Sequence, residues 1–185
     1  PKTVIIIGPK HPANGMDWSV APHHTWKLPG RNVESDYELA MNLVKNISGL
    51  EPDAAAHKEE HGIEVELPII ARLSPETKVV GVAVGGGSLE RCEQFAEELA
   101  GVIRDLDEKP MLLISSDMNH YANDAETRRL DELALEKLQN LDTDGLFDVC
   151  TERHISMCGM RPAVMVLKAL EKLGRVSTCQ RVRSE

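Results

Sequence analysis

The stretch that most constrains this chain is Met111–Tyr121, MLLISSDMNHY. Met111, Leu112, Leu113 and Ile114 form an unbroken apolar run after Pro110, the pattern of a central parallel strand covered on both faces. Ser115, Ser116, Asp117, Asn119 and His120 follow without a gap. In an open α/β sheet, ligands sit at the carboxyl ends of the strands. An acid and a histidine three residues apart therefore stand where such folds do chemistry. The competing reading is that Ser116 or Asp117 caps the next helix and His120 is an ordinary loop residue.

Two more apolar runs match this one. Thr3–Ile7 leads into Gly8, Pro9, Lys10 and His11, and Lys78–Val84 leads into Gly85, Gly86 and Gly87. Helical patterns separate them. Ser35, with Glu38 three residues on, predicts a capped helix carrying Leu39, Leu43 and Ile47 on one stripe and ending near Gly49. In 54–73, Ile63, Leu67 and Ile70 share a face, and Pro68 kinks or restarts the helix. Ser88 caps a long amphipathic helix, and the triple glycine before it reads as a tight turn, since it lacks the Lys-Ser/Thr of a phosphate loop. Two further helices follow over 124–141 and 144–152, then one from about residue 160 to Gly174, and a last strand is expected over 176–182. Residues 12–32, with Gly15, Pro22, Pro29 and Gly30, read as a long loop pinned by Trp18 and Trp26, with His23 and His24 in solvent. The alternation of strand and helix predicts one α/β domain with a largely parallel sheet.

Composition narrows the function classes. The net charge of −9, with no stripe of Lys and Arg, argues against a nucleic-acid surface, and aromatics at 3% argue against base-stacking platforms. No apolar run approaches membrane-spanning length, and Val4–Ile7 is too short for the core of a signal peptide. The four cysteines form no CxxC pair, which fits a reduced, cytoplasmic protein.

Metal-competent side chains recur near element ends: His11, His61, Asp117 with His120, and Cys158, which lies just before a helix whose N-terminus favours a thiolate. His57 and His61 are four apart, but no glutamate follows the first histidine, so the zinc-protease motif is excluded. Glu59 and Glu60 read as a solvated acidic face. Cys92 reads as core, and a small buried residue is the competing reading for Cys158. Imidazole, carboxylate and thiolate together suit iron, copper or zinc rather than magnesium or calcium.

Four segments carry a family resemblance: VIIIGPKH, EEHGIEVELP, LLISSDMNHY and MCGMRP. Their order and spacing resemble the strand-GPxH, EHSIExxLP, SSDxxHY/W and CGxxP signatures of the MEMO family, whose prokaryotic members are named AmmeMemoRadiSam system protein B. The resemblance implies a three-layer α/β fold, with a mainly parallel sheet flanked by helices, of the phosphorylase and class III extradiol dioxygenase type. It implies that His11 and Cys158 are metal ligands and that His61, Asp117 and His120 line the same pocket and orient ligands or move protons. The metal implied is iron or copper, with zinc less suited, and the activity implied is metal-dependent redox chemistry on a small molecule. The alternative is a non-catalytic module that binds a peptide or small ligand in the same cleft. The family's other ligand histidine belongs to a PHAGY-type motif upstream of the GPxH strand and has no match here, so the chain is expected to lack that segment and the last strand or strands of the domain. The signature also departs at Lys10, where Asn or Ser is usual, and at Gly62, where Ser is usual.

Overall fold

A computed structural model describes residues 1–182. Its centre is a five-stranded sheet built on β1 (Thr3–Pro9). Numbered along the chain, β2 (Trp18–Val20), β5 (Glu51–Pro52), β6 (Lys78–Val84) and β7 (Met111–Ile114) complete it, in the order β5-β2-β6-β1-β7. β1 runs parallel to both β6 and β7, and β2 is parallel to β5 but antiparallel to β6. The sheet is thus mainly parallel, as expected.

Period-2 alternation divides each strand between two cores. Ile5, Ile7, Val80, Val82 and Val84 face one side, where they meet α1 (Tyr37–Asn46), α5 (Leu89–Asp105) and α8 (Met160–Lys172). Val4, Ile6, Val79 and Ala83 face the other, against α3 (His61–Glu64), α4 (Leu67–Leu73) and a hairpin of β3 (Thr25–Leu28) and β4 (Arg31–Glu34). The register Ile5↔Val80 and Ile7↔Val82 keeps each apolar set on one face. Full burial of Ile5, Ile7, Leu43 or Phe95 contributes roughly 1.5–3 kcal/mol each. Helices and the hairpin on both faces make three layers.

Several expectations change. β7 is apolar on both faces, with Leu112 and Ile114 in one core and Leu113 in the other, but it is not central. Among the described residues it pairs with β1 alone, and Met111 is 49% exposed. Covering layers that extend over an edge strand give the same sequence pattern as a central position. Residues 12–32 are not one continuous loop, since they contain β2, β3 and the start of β4. Trp18 is a buried strand residue whose indole N–H donates to the Gly86 carbonyl at 2.8 Å, and its ring lies edge-on to Phe95. β3 and β4 turn at Pro29–Gly30, where Gly30 supplies a φ of +78°. His24 is exposed and lies on Tyr37, whereas His23 is half-buried and edge-on to Trp26.

The first long helix is capped by Asp36, which accepts from the Leu39 N–H at 3.1 Å, because Ser35 is still held in a bridge to Val79. Residues 54–73 break into α2 (Ala54–His57), α3 and α4, with Pro68 in the first turn of α4. α6 (Asp124–Gln139) is capped by Asn123, so neither Ser116 nor Asp117 caps it, and α7 (Thr143–Glu152) follows. Residues 176–182 form no strand. Two valines among polar neighbours give no apolar face, and Arg181 instead pairs with Glu132 on α6 at 2.9 Å. No helix among the described residues is long and apolar enough to cross a membrane.

Candidate functional site

Two of the four motif segments run off the carboxyl ends of β1 and β7, the other two lie at α3 and at the start of α8, and together they form two groups. The first group joins the end of β1 to α3. Glu60 precedes α3 and caps it, its Oε1 accepting from the Gly62 N–H at 2.7 Å. Oε1 also accepts from His11 Nδ1 at 2.8 Å, and Oε2 accepts from the His11 backbone N–H at 2.5 Å. Burial opposes the charge on Glu60, but the backbone N–H groups of His11 and Gly62 and the His11 ring outweigh it and hold its carboxyl below the usual range. The His61 ring stacks on His11, with centroids 4.3 Å apart. His11, Glu60 and His61 each bring a donor atom within 4.8 Å of the others, a group able to hold a metal ion.

The second group joins the end of β7 to the start of α8. The Asp117 N–H donates to Cys158 Sγ at 3.1 Å, and the Gly159 N–H donates to Ser116 Oγ at 2.9 Å. His120 is fixed twice by Ser156, its backbone N–H donating to Oγ at 2.6 Å and its Nδ1 donating to the carbonyl at 2.8 Å. A carbonyl only accepts, so Nδ1 carries the proton and Nε2 is left 3.5 Å from Asp117 Oδ2. Asn119 Oδ1 accepts from the Ser156 N–H at 3.1 Å and clamps the two segments together.

Gly8 of β1 lies between the groups. A Cβ there would stand 3.6 Å from Ser115 Cβ and 3.7 Å from the Gly62 carbonyl carbon. The fold thus brings His11 to His61, and Asp117 and His120 to Cys158, on adjoining strand ends. Among the described residues Cys158 enters no cluster of three metal donors with His11. Glu60 is where reading the sequence failed. It is buried rather than solvated, and its partner His11 is 49 positions away. Its place directly before the apolar stripe of Ile63, Leu67 and Ile70 is the local signal of a capping acid. A separate cleft of about 940 Å³ opens at the opposite end of the sheet, lined by Lys2, Asp36, Glu76, Lys78 and Lys109, far along the strands from both groups.

Comparison with known proteins decides the family. The family model described as Memo-like protein matches residues 1–183. The chain belongs to the Memo-like family. A MEMO1 family protein of Sulfurisphaera tokodaii is 36% identical over 177 residues, covering 95% of this chain and 62% of its own length. One from Sulfolobus acidocaldarius is 35% identical over 95% of this chain and 62% of its own, and one from Pyrobaculum aerophilum, PAE0818, is 30% identical over 96% and 63%. The chain spans about three fifths of the length of these Memo-like relatives.

Proposed function

We propose that this Memo-like chain carries a metal-dependent redox centre at the carboxyl edge of its sheet, acting on a small molecule at the ends of β1 and β7. The observation that carries the reading is the approach of His11, Glu60 and His61 donor atoms to within 4.8 Å. The two imidazoles suit iron or copper, and the Cys158 sulfur just before α8 would draw the site towards copper. When bound, such an ion supplies a redox-active Lewis acid with positions open to dioxygen or substrate.

The chain's own residues would divide the work. His11 offers a ring held by Glu60. The His61 ring stacks on it 20° from parallel, and the exposed His61 side chain would be the second imidazole donor to the same ion. Cys158 is the donor that the second group would add. His120 takes a proton at Nε2 beside the Asp117 carboxylate, while Ser156 holds the other ring nitrogen.

The test is metal analysis after anaerobic loading with iron(II) or copper, on the wild type, His11→Ala and Cys158→Ser. Near-stoichiometric metal that is lost in His11→Ala supports the reading and opens assays of oxygen consumption with catechols. A folded wild type that retains no metal overturns it in favour of a non-catalytic module binding a peptide or small ligand.

A further inference from the structure

We propose that Glu60 is a positioning residue for His11: it grips the ring and the backbone of that histidine with one carboxylate, fixes the proton on Nδ1, and leaves Nε2 as the atom offered to a metal ion, without being a ligand itself. The inference rests on the metal-binding reading above for its functional meaning, though not for its geometry.

Counting acceptor sites separates the two roles open to Glu60. A carboxylate has about four lone-pair positions. Three are taken: Oε1 accepts from His11 Nδ1 and the Gly62 N–H, and Oε2 accepts from the His11 N–H. Its side chain is 0% exposed, whereas the His11 side chain is 36% exposed. A ligand carboxylate would have to turn towards the exposed side and release these donors, including the cap of α3. The histidine can meet an ion from the exposed side without breaking anything.

The grip also defines the tautomer. An ionised carboxylate only accepts, so the nitrogen facing it at 2.8 Å carries hydrogen, and the other nitrogen holds the lone pair. Because the same carboxylate holds the His11 backbone N–H, the ring is fixed relative to its own main chain and to the end of β1. A carboxylate behind a ligand histidine, orienting it and raising its basicity, is the recurrent partner of metal sites. Among the described residues His61 has no comparable hold, since its ring contact is the stack on His11.

Gly62 belongs to the same device. A Cβ at 62 would come 3.1 Å from Glu60 Oε1 and 3.3 Å from Pro9 Cδ, so a side chain there presses on the carboxylate. Glycine at this position leaves Glu60 seated against the backbone.

The experiment compares the wild type with Glu60→Ser, which still caps α3 but is too short to reach His11. Long-range proton–nitrogen NMR of the imidazoles in metal-free protein at pH 8, with His11 assigned through His11→Ala, reads the tautomer. The expected result is an Nδ1–H ring in the wild type and a predominantly Nε2–H ring in Glu60→Ser. Cobalt(II) titration should show about 10–100-fold weaker binding in Glu60→Ser at unchanged stoichiometry. If Glu60→Ser fails to fold, Glu60→Gln, which accepts at one atom only, is expected to weaken cobalt by about tenfold. An Nδ1–H ring that persists without the carboxylate overturns the proposal, and so does cobalt binding abolished outright in a folded Glu60 variant. A wild type that binds no cobalt overturns the metal reading instead, while the ring signals, recorded without metal, decide the role of Glu60 in either case.

Discussion

Replacing Gly159 by alanine should loosen the contact that assembles the second group. The backbone at Gly159, φ −89° and ψ 19°, is open to any residue, so alanine meets no torsional strain there. The obstacle is space. An added Cβ would lie 2.4 Å from Ser116 Cβ, 2.6 Å from the Ser115 carbonyl oxygen and 2.6 Å from Ser116 Oγ. A main-chain carbonyl at the end of β7 cannot swing aside, so the start of α8 must move outward. That movement takes the Gly159 N–H from Ser116 Oγ and Cys158 Sγ from the Asp117 N–H. Overpacking costs about 1–3 kcal/mol, and the broken hydrogen bonds add about 1 kcal/mol. The lower chain entropy of unfolded alanine returns about 0.4–1 kcal/mol. The net expectation is about 2 kcal/mol of destabilisation, or about 6 °C in Tm for a chain of this size. Urea unfolding followed by circular dichroism measures it. Gly101→Ala is the control: Gly101 sits inside α5 with nothing within 4 Å of its added Cβ, and should stabilise by about 0.5–1 kcal/mol. Gly159→Ala unfolding within 0.5 kcal/mol of the wild type would refute the close-approach argument.

Three further expectations follow from burial and capping. Burial lowers the pKa of His57 from 6.5 to about 4, so the unfolded chain binds its proton first; the associated stability is complete above pH 6.5 and lost as pH falls towards 4, about 3 kcal/mol in all, and His57→Gln should flatten that slope in urea titrations across pH 4–7.5. Burial pushes the Cys92 and Cys150 thiols up to about 11, so a disulfide reagent at pH 7.5 should modify Cys158 and Cys179 first and reach Cys92 and Cys150 only on unfolding, with Cys158→Ser removing one fast thiol. Asp36→Ala removes the cap of α1 and the bond from Thr3 Oγ1 at 2.7 Å, and should cost about 1–2 kcal/mol in thermal unfolding.

How far the sequence revealed this architecture depended on whether a residue's neighbours in the chain are also its neighbours in space. β1, β6 and α5 were legible because each is long enough to show its own period, and the runs ending in GPKH and SSDMNHY do leave the sheet at one shared edge. β2, β3 and β4 are three or four residues long, too short for a period, and Gly15, Pro22, Pro29 and Gly30 imitate a loop. The hairpin signal was present as Pro29–Gly30 between Thr25–Leu28 and Arg31–Glu34, but the first arm alternates over only four residues and the second carries a single apolar residue, Val33. The edge position of β7 was hidden because both of its faces are covered. The site residues His11, His61, Asp117, His120 and Cys158 were singled out by type and position, yet their division into two groups is set by tertiary contacts. Glu60 looked like Glu59 until the fold carried His11 over it.

The central claim is that a metal ion binds at the end of β1 through His11, with Glu60 behind it. Crystals grown with cobalt(II), measured at the cobalt absorption edge, test it most directly. One strong anomalous peak is expected about 2.1 Å from His11 Nε2, with His61 turned towards it and Glu60 still bonded to His11 Nδ1. A peak bonded to Glu60 with His11 swung away, or no peak at the end of β1 in saturated crystals, would contradict it.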